Sequence, residues 1–284
     1  MTCRIVVTND DGVDSAGIHV LARFLECEGH QVTVIAPDYD ASGTGTSLGS
    51  YSATNPIRFR EKKIESFDGG VYAVAGPPAL CSLLASNEAF CSRPEVVVSG
   101  INAGLNVGRS VVHSGTVGAA LAAQNFGMKG LAVSLGGAVR WFWESAAEMA
   151  VKLIPSVLAG PDRSVTNINV PGLPMDQLKG LKWARLARFG TVKGVVRRVT
   201  SRNVHVENVR NDYTPELNTD LALTRHGYAS LTCLQGACEV WNSDVVPGQK
   251  FDPSLRVSGA LAGDPVCPPL AFSVEELEES YGKG

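Results

Sequence analysis

Residues 3–12 read CRIVVTNDDG. The run Cys3–Val7 is apolar and β-branched apart from Arg4, the pattern of a strand buried on both faces. It stops at Thr8 and gives way to Asn9, Asp10, Asp11 and Gly12, a polar turn carrying two adjacent carboxylates. Beyond the turn, Ala16–Glu28 places Ile18, Leu21, Ala22 and Leu25 at helical spacing, and Gly29 supplies a stop. The same rhythm of strand, polar loop and helix recurs outward from there. Gln31–Ala36 is a second strand, ended by Pro37. Val71–Ala75 is another, followed by a helical Pro78–Ala89. Pro94 precedes the strand Glu95–Ser99. Ser114–Phe126 is an alanine-rich helix with a serine N-cap, closed by Gly127, and Leu131–Leu135 is a further strand. Strands alternating with helices predict an α/β fold whose sheet is mostly parallel and joined by right-handed crossovers.

Past residue 139 the texture changes. Trp141–Leu158 reads as one long helix and Val165–Val170 as a strand. Lys179–Asn211 alternates in the manner of antiparallel β-structure, and Thr219–Arg225 and Tyr228–Leu234 return a short helix and a strand. These readings give a single domain: a core of 1–178 and 212–235, a β-hairpin excursion over 179–211 and a C-terminal tail over 236–284. With 284 residues, 44% of them hydrophobic and 19% charged, the chain can build a substantial core. A net charge of −3 without a dense basic block argues against a nucleic acid polymer as partner. No stretch approaches the roughly 18 apolar residues of a membrane span, so no membrane partner is expected. The seven cysteines (3, 27, 81, 91, 233, 238 and 267) form no CxxC pair, and Cys3 and Cys81 read as small buried hydrophobes. The first strand starts close to Met1, leaving no room for a targeting peptide. A soluble protein of a reducing, cytoplasmic compartment is expected.

In open α/β sheets ligands bind beyond the carboxyl ends of the strands, where Asp10 and Asp11 stand. Two neighbouring carboxylates repel, and a divalent cation such as Mg²⁺ or Mn²⁺ would relieve the repulsion; a helix cap or a plain turn would also account for them. Two more strand ends carry neutral oxygen ligands: Ser42 in DYDASGTG (38–45) and Asn102 in SGINAGLNVG (99–108). Taken singly, Asn102 and Asn106 could equally serve turn geometry. His113-Ser114-Gly115-Thr116 opens a helix, where free N–H groups and the dipole favour an anion, so Ser114, Gly115 and Thr116 are candidates to cradle a phosphate.

At this point the sequence resembles the SurE-type survival-protein nucleotidases. The resemblance lies in TNDDG (8–12), VIAPDYDASGTGTSL (34–48), VAGPPALC (74–81), VVVSGINAGLNVG (96–108), HSGTVGAALA (113–122) and LAVSL (131–135), and more weakly in NINVPGLP (167–174) and TDLALTRHGYASLTCL (219–234). It implies a Rossmann-like three-layer α/β/α core, with a hairpin and C-terminal elements exchanged between subunits of a homodimer or homotetramer. It implies one divalent cation per subunit, Mg²⁺ or Mn²⁺, held by Asp10, Asp11, Ser42 and Asn102. The activity implied is metal-dependent hydrolysis of nucleoside 5′- and 3′-monophosphates. On that reading a metal-bound water attacks the phosphate, Asp10 or Asp11 takes its proton, and Asn9, Asn106 and the Ser114–Thr116 segment hold the phosphate.

Three departures from the family pattern stand out. Gly76-Pro77-Pro78-Ala79-Leu80-Cys81 replaces GTP-x-D-C, losing a Thr and an Asp at Pro77 and Leu80. His113 stands where Tyr is usual, and Cys233 where Pro is. The Leu80 change keeps a second reading in view, a nucleotide-binding protein with weak or no turnover. An aspartyl-phosphate enzyme would want DxD spacing, and a dinucleotide oxidoreductase would want GxGxxG after the first strand; neither is present. Trp141, Trp143, Trp183 and Trp241 are expected in the core or at subunit contacts, Arg197 and Arg198 on a solvated strand face, and Asp220 and His226 near oligomer contacts.

Overall fold

The structure, a computed structural model, describes residues 2–137 and 140–237. Cys238, Trp241, Cys267 and the tail they belong to lie outside those residues. The elements, in chain order, are β1 (Arg4–Thr8), α1 (Ala16–Cys27), β2 (Gln31–Pro37), β3 (Phe59–Lys62), β4 (Val71–Val74), α2 (Pro78–Ser86), β5 (Val96–Ala103), α3 (Gly115–Asn125), β6 (Lys129–Leu135), α4 (Trp143–Ala159), β7 (Val165–Val170), β8 (Leu181–Trp183), β9 (Val192–Val199), β10 (Val204–Arg210), α5 (Asp220–Arg225) and β11 (Ala229–Leu234).

Nine of these strands form one sheet in the order β3-β4-β2-β1-β5-β6-β7-β11-β8. From β4 to β7 all neighbours are parallel. Alternate side chains of β1 feed two different cores. Ile5 and Val7 join the cluster built with Ile18, Leu21 and Leu25 of α1 and Leu153 and Ile154 of α4. Val6 joins the one built with Leu80, Cys81 and Ala85 of α2 and Ala123 of α3. The fold is therefore three layers, with α1 and α4 on one face and α2 and α3 on the other. Strands sandwiched in this way must be apolar on both sides, which is why their sequences run continuous rather than alternating. Burying each Leu or Ile side chain stabilises by roughly 1.5–3 kcal/mol relative to leaving it exposed.

Four features differ from the sequence reading. β3 was not foreseen: FREK is charged and exposed, and it closes one edge of the sheet antiparallel to β4. β5 runs past Ser99 as far as Ala103, with an irregularity in its pairing to β6 between Ser99 and Asn102. β11 is antiparallel to β7. The alternating run from Lys179 divides: Leu181–Trp183 becomes β8, parallel to β11 in the main sheet, and only β9 and β10 pair as an antiparallel ribbon of their own.

Going outward from β1, the chain builds β2 and β4 on one side and β5, β6 and β7 on the other. The strand order thus reverses between β1 and β5, and the crevice above that switch point is where such sheets bind ligands. Asp10 and Asp11 follow β1, and Asn102 is the penultimate residue of β5.

Candidate active site

Asp10 is only 4% exposed, yet no Lys or Arg pairs with it or with Asp11 among the described residues. Its carboxylate rests instead on the start of α3. The Thr116 hydroxyl donates to Oδ1, and the Gly115 N–H donates to Oδ2 at 3.1 Å. A Cβ at Gly115 would come within 2.7 Å of the Asp10 Cβ, so only glycine admits this approach. The first helix is capped at Ser15, not by the acidic pair. Ser114 is the N-cap of α3, accepting from the Val117 N–H at 3.1 Å as expected from its sequence. The anion at this helix start is therefore the protein's own carboxylate. The Gly115 N–H and the Thr116 hydroxyl, read from the sequence as candidates for a phosphate, are bonded here to Asp10. Burial pushes the Asp10 carboxyl up from its ordinary range, while hydrogen bonds from Thr116 and the amides of Asp10, Thr116 and Gly115 pull it down.

Asp11 is half-buried, and its Oδ2 receives a long hydrogen bond of 3.4 Å from the Ala103 N–H, beside Asn102. Burial first, and repulsion from Asp10 second, raise its pKa to about 6, with Asp40 adding a smaller repulsion. Asn9 is fully buried. Its Nδ2 donates to the Gly12 carbonyl at 2.9 Å and to the Ser15 hydroxyl at 2.7 Å, while Oδ1 has no partner. Both Asn9 hydrogens thus shape the Asp-Asp-Gly turn. Asn9 organises the turn that carries Asp10 and Asp11.

The loop after β2 docks onto both neighbours, with Ala41 N–H on the Asp10 carbonyl at 2.7 Å and Gly45 N–H on the His113 carbonyl at 3.2 Å. Ser42, next to Ala41, is exposed and donates its hydroxyl to Asp40 Oδ1 at 2.6 Å, which leaves its lone pairs free. Those bonds hold the Asp40 carboxyl below its usual range. Asp40 is a third carboxylate at this mouth that the sequence reading passed over, although its position two residues before Ser42 suits such a turn. Asn102 donates Nδ2 to the Gly104 carbonyl at 2.8 Å, and no described residue donates to its Oδ1. Asn106 is held on every side: its N–H donates to Asn169 Oδ1 at 2.8 Å, its carbonyl accepts from Asn167 and Asn169, and its Nδ2 donates to the Ser134 hydroxyl at 2.9 Å. One hydrogen of that Nδ2 remains available.

The departures noted in the sequence find places too. Leu80 is 2% exposed and fills the core beneath α2, and His113 is exposed. Cys233 is exposed on β11. Asp220 is fully buried and takes three amides, Gly108 at 2.8 Å, Ala187 at 2.9 Å and Leu221 at 2.7 Å. The expectation that it lies at oligomer contacts is therefore corrected: it clamps loops within one chain. Arg197 lies exposed on the hairpin and pairs with Glu207 at 2.7 Å; Trp183 is exposed, and Trp141 stacks on Trp143 with centroids 5.0 Å apart.

Among the described residues no cluster of three or more His, Cys, Asp or Glu could hold a metal. A cation in this crevice would need neutral oxygens beside the acidic pair. The residues present fit that need: two carboxylates without basic partners, the hydroxyl of Ser42 and the amide oxygen of Asn102.

Fold and crevice together define a doubly wound α/β protein with an acidic, oxygen-rich site at its topological switch point. The family model of survival protein SurE matches residues 5–192, and the chain belongs to that family. It is 38% identical over 246 residues to the 5′-nucleotidase SurE of Mannheimia succiniciproducens, covering 84% of this chain and 95% of that protein. It is 37% identical over 246 residues to the 5′-nucleotidase SurE of Haemophilus influenzae strain PittGG, covering 84% and 94%. The crystal structure of SurE from Aquifex aeolicus superposes with a TM-score of 0.68 at 30% identity, covering 82% of this chain and 93% of that one. Among the described residues no helix is long and apolar enough to cross a membrane.

Proposed function

We propose that the protein is a metal-dependent phosphatase that hydrolyses nucleoside 5′- and 3′-monophosphates. The observation that carries the reading is the pair Asp10 and Asp11, desolvated and without basic partners among the described residues, with Asp11 reached by the Ala103 N–H next to Asn102 across the switch point between β1 and β5. The names of the relatives support the nucleotide as substrate. One divalent cation, Mg²⁺ or Mn²⁺, would be held by Asp10, Asp11, Ser42 and Asn102. When bound, it would neutralise phosphate charge and lower the pKa of a coordinated water.

The remaining work belongs to side chains. Asp10 has both oxygens occupied by α3 donors and is suited to fixed charge, not proton transfer. Asp11, whose Oδ1 is free of described donors, is suited to take a proton there from attacking water. The second hydrogen of Asn106 Nδ2 and the hydroxyl of Ser114 are the donors left for phosphate oxygens. The unpaired state of the described cysteines suits a cytoplasmic setting.

The proposal extends to assembly. Pairing of Val199 with Val204 and of Val196 with Val206 puts these valines, together with Val192, on one face of the β9–β10 ribbon, all of them exposed. A two-stranded ribbon is marginal alone, and a second copy covering that face in a homodimer or homotetramer would stabilise it.

The test is a panel of nucleoside 5′- and 3′-monophosphates with Mn²⁺ or Mg²⁺, with and without EDTA. Phosphate release that EDTA abolishes, and that Asp10→Asn removes, is expected. Nucleotide binding without phosphate release under every metal would refute the hydrolase.

A further inference from the structure

Asn167 and Asn169 sit two residues apart on β7, far along the chain from the acidic turn, and neither is exposed at all. A buried side-chain amide costs stability unless it is hydrogen-bonded, so its partners show what it is for. Asn169 accepts the Asn106 N–H on Oδ1 at 2.8 Å and returns its Nδ2 to the Asn106 carbonyl at 2.9 Å. A single planar amide thus meets both backbone groups of one loop residue, as a neighbouring strand would. Asn167 adds a second donor to the same carbonyl at 3.0 Å, although its own Oδ1 has no partner.

Only an amide supplies donor and acceptor together at this length. Aspartate lacks the donor, leucine both groups, and glutamine is a methylene too long. The loop so gripped begins at Asn102. The Asn102 Nδ2 is tied to the Gly104 carbonyl at 2.8 Å, and the Gly104 N–H to the Leu135 carbonyl at 2.9 Å. Asp220 fixes the far end through the Gly108 N–H at 2.8 Å. The Asn102 side chain is therefore oriented by the backbone of a loop that Asn169 grips further on, at Asn106.

We propose that Asn169, assisted by Asn167, is a positioning residue that aims the amide oxygen of Asn102 into the crevice and so sets the affinity for a divalent cation. The inference rests on the metal-dependent reading of the site.

Equilibrium Mn²⁺ binding, read from the electron paramagnetic resonance of the free ion, tests it with the full chain. Groups that orient metal ligands typically change affinity about 10- to 100-fold when removed. Asn169→Ala should weaken Mn²⁺ binding by roughly tenfold or more, and excess Mn²⁺ should restore turnover in part. Thr166→Val, equally internal on β7 but without a bond to the loop, should bind Mn²⁺ as the unaltered protein does. If Asn169→Ala does not fold, Asn167→Leu carries the test. It removes one of two donors to the Asn106 carbonyl together with an unpartnered oxygen, and a several-fold loss of affinity is expected. Unchanged affinity in the folded variants overturns the inference. Absence of Mn²⁺ binding by the unaltered protein overturns the metal reading itself, a distinct result.

Discussion

Asp10 shows how a carboxyl can be held inside an apolar fold without a basic partner. A helix start concentrates N–H groups and positive dipole at one point, and here the carboxylate takes that place. Thr116→Val preserves shape while removing the hydroxyl donor. Leaving a buried hydrogen-bonding group without its partner costs about 1–3 kcal/mol, so a loss of that order is expected; urea melts read it. The pKa of Asp11 is raised to about 6 in the folded state from an ordinary 3.8. The proton is held more tightly folded than unfolded, so this residue's contribution is most favourable below pH 4 and is lost as pH rises through 6. Asp11→Asn should therefore stabilise the metal-free protein at pH 7.5 and leave it unchanged near pH 3.5. Mn²⁺ should raise the melting temperature of the unaltered protein more at pH 7.5 than at pH 5. Equal shifts at both pH values would contradict a cation bound at this carboxylate.

At the level of elements, the loop after β2 is seated by a close approach rather than by its own bonds alone. A Cβ on Gly118 of α3 would lie 2.0 Å from the Gly45 carbonyl oxygen. Gly118→Ala should push the segment 38–45, and Ser42 with it, off the crevice. Displacement near 1 Å can cost about 100-fold in rate, and a loss of that size in kcat/KM is expected with the far-UV circular dichroism retained. The elements that bear these loops were legible in the sequence because both-face burial forces unbroken apolar strands and helical spacing forces apolar stripes, as in β1 and α1. β3 was not, since a charged edge strand such as FREK has no apolar period and gains protection from its charges. The reversal of β11 was not either, because pairing direction leaves no mark on a six-residue buried run. In the site, Asp10, Asp11 and Asn102 could be named from position at strand ends. Asp40 and Asn169 went unnamed, and Thr116 and Asp220 were named without their partners, because their contacts join distant segments and three-dimensional proximity carries the information that local pattern lacks.

At the level of the whole molecule, the sheet and its helices bury their apolar faces, whereas the β9–β10 ribbon leaves Val196 and Val206 58% and 61% exposed. A double change, Val196→Lys with Val206→Lys, adds charge to that face without touching the core. Light scattering after size exclusion should show the assembly reduced to a smaller species, with thermal unfolding of the core little altered. An unchanged mass would contradict the proposed role of the valine face in assembly.

The loop from Asn102 to Gly108 has a consequence for synthesis. It emerges from the ribosome early, yet the amides and carboxylate that fasten it belong to Asn167, Asn169 and Asp220. A nascent chain halted after Leu135 already owns every acidic side chain of the crevice, yet of the groups that hold Asn106 it has only the Ser134 hydroxyl. The full set of bonds on this loop thus forms only when the last strands close.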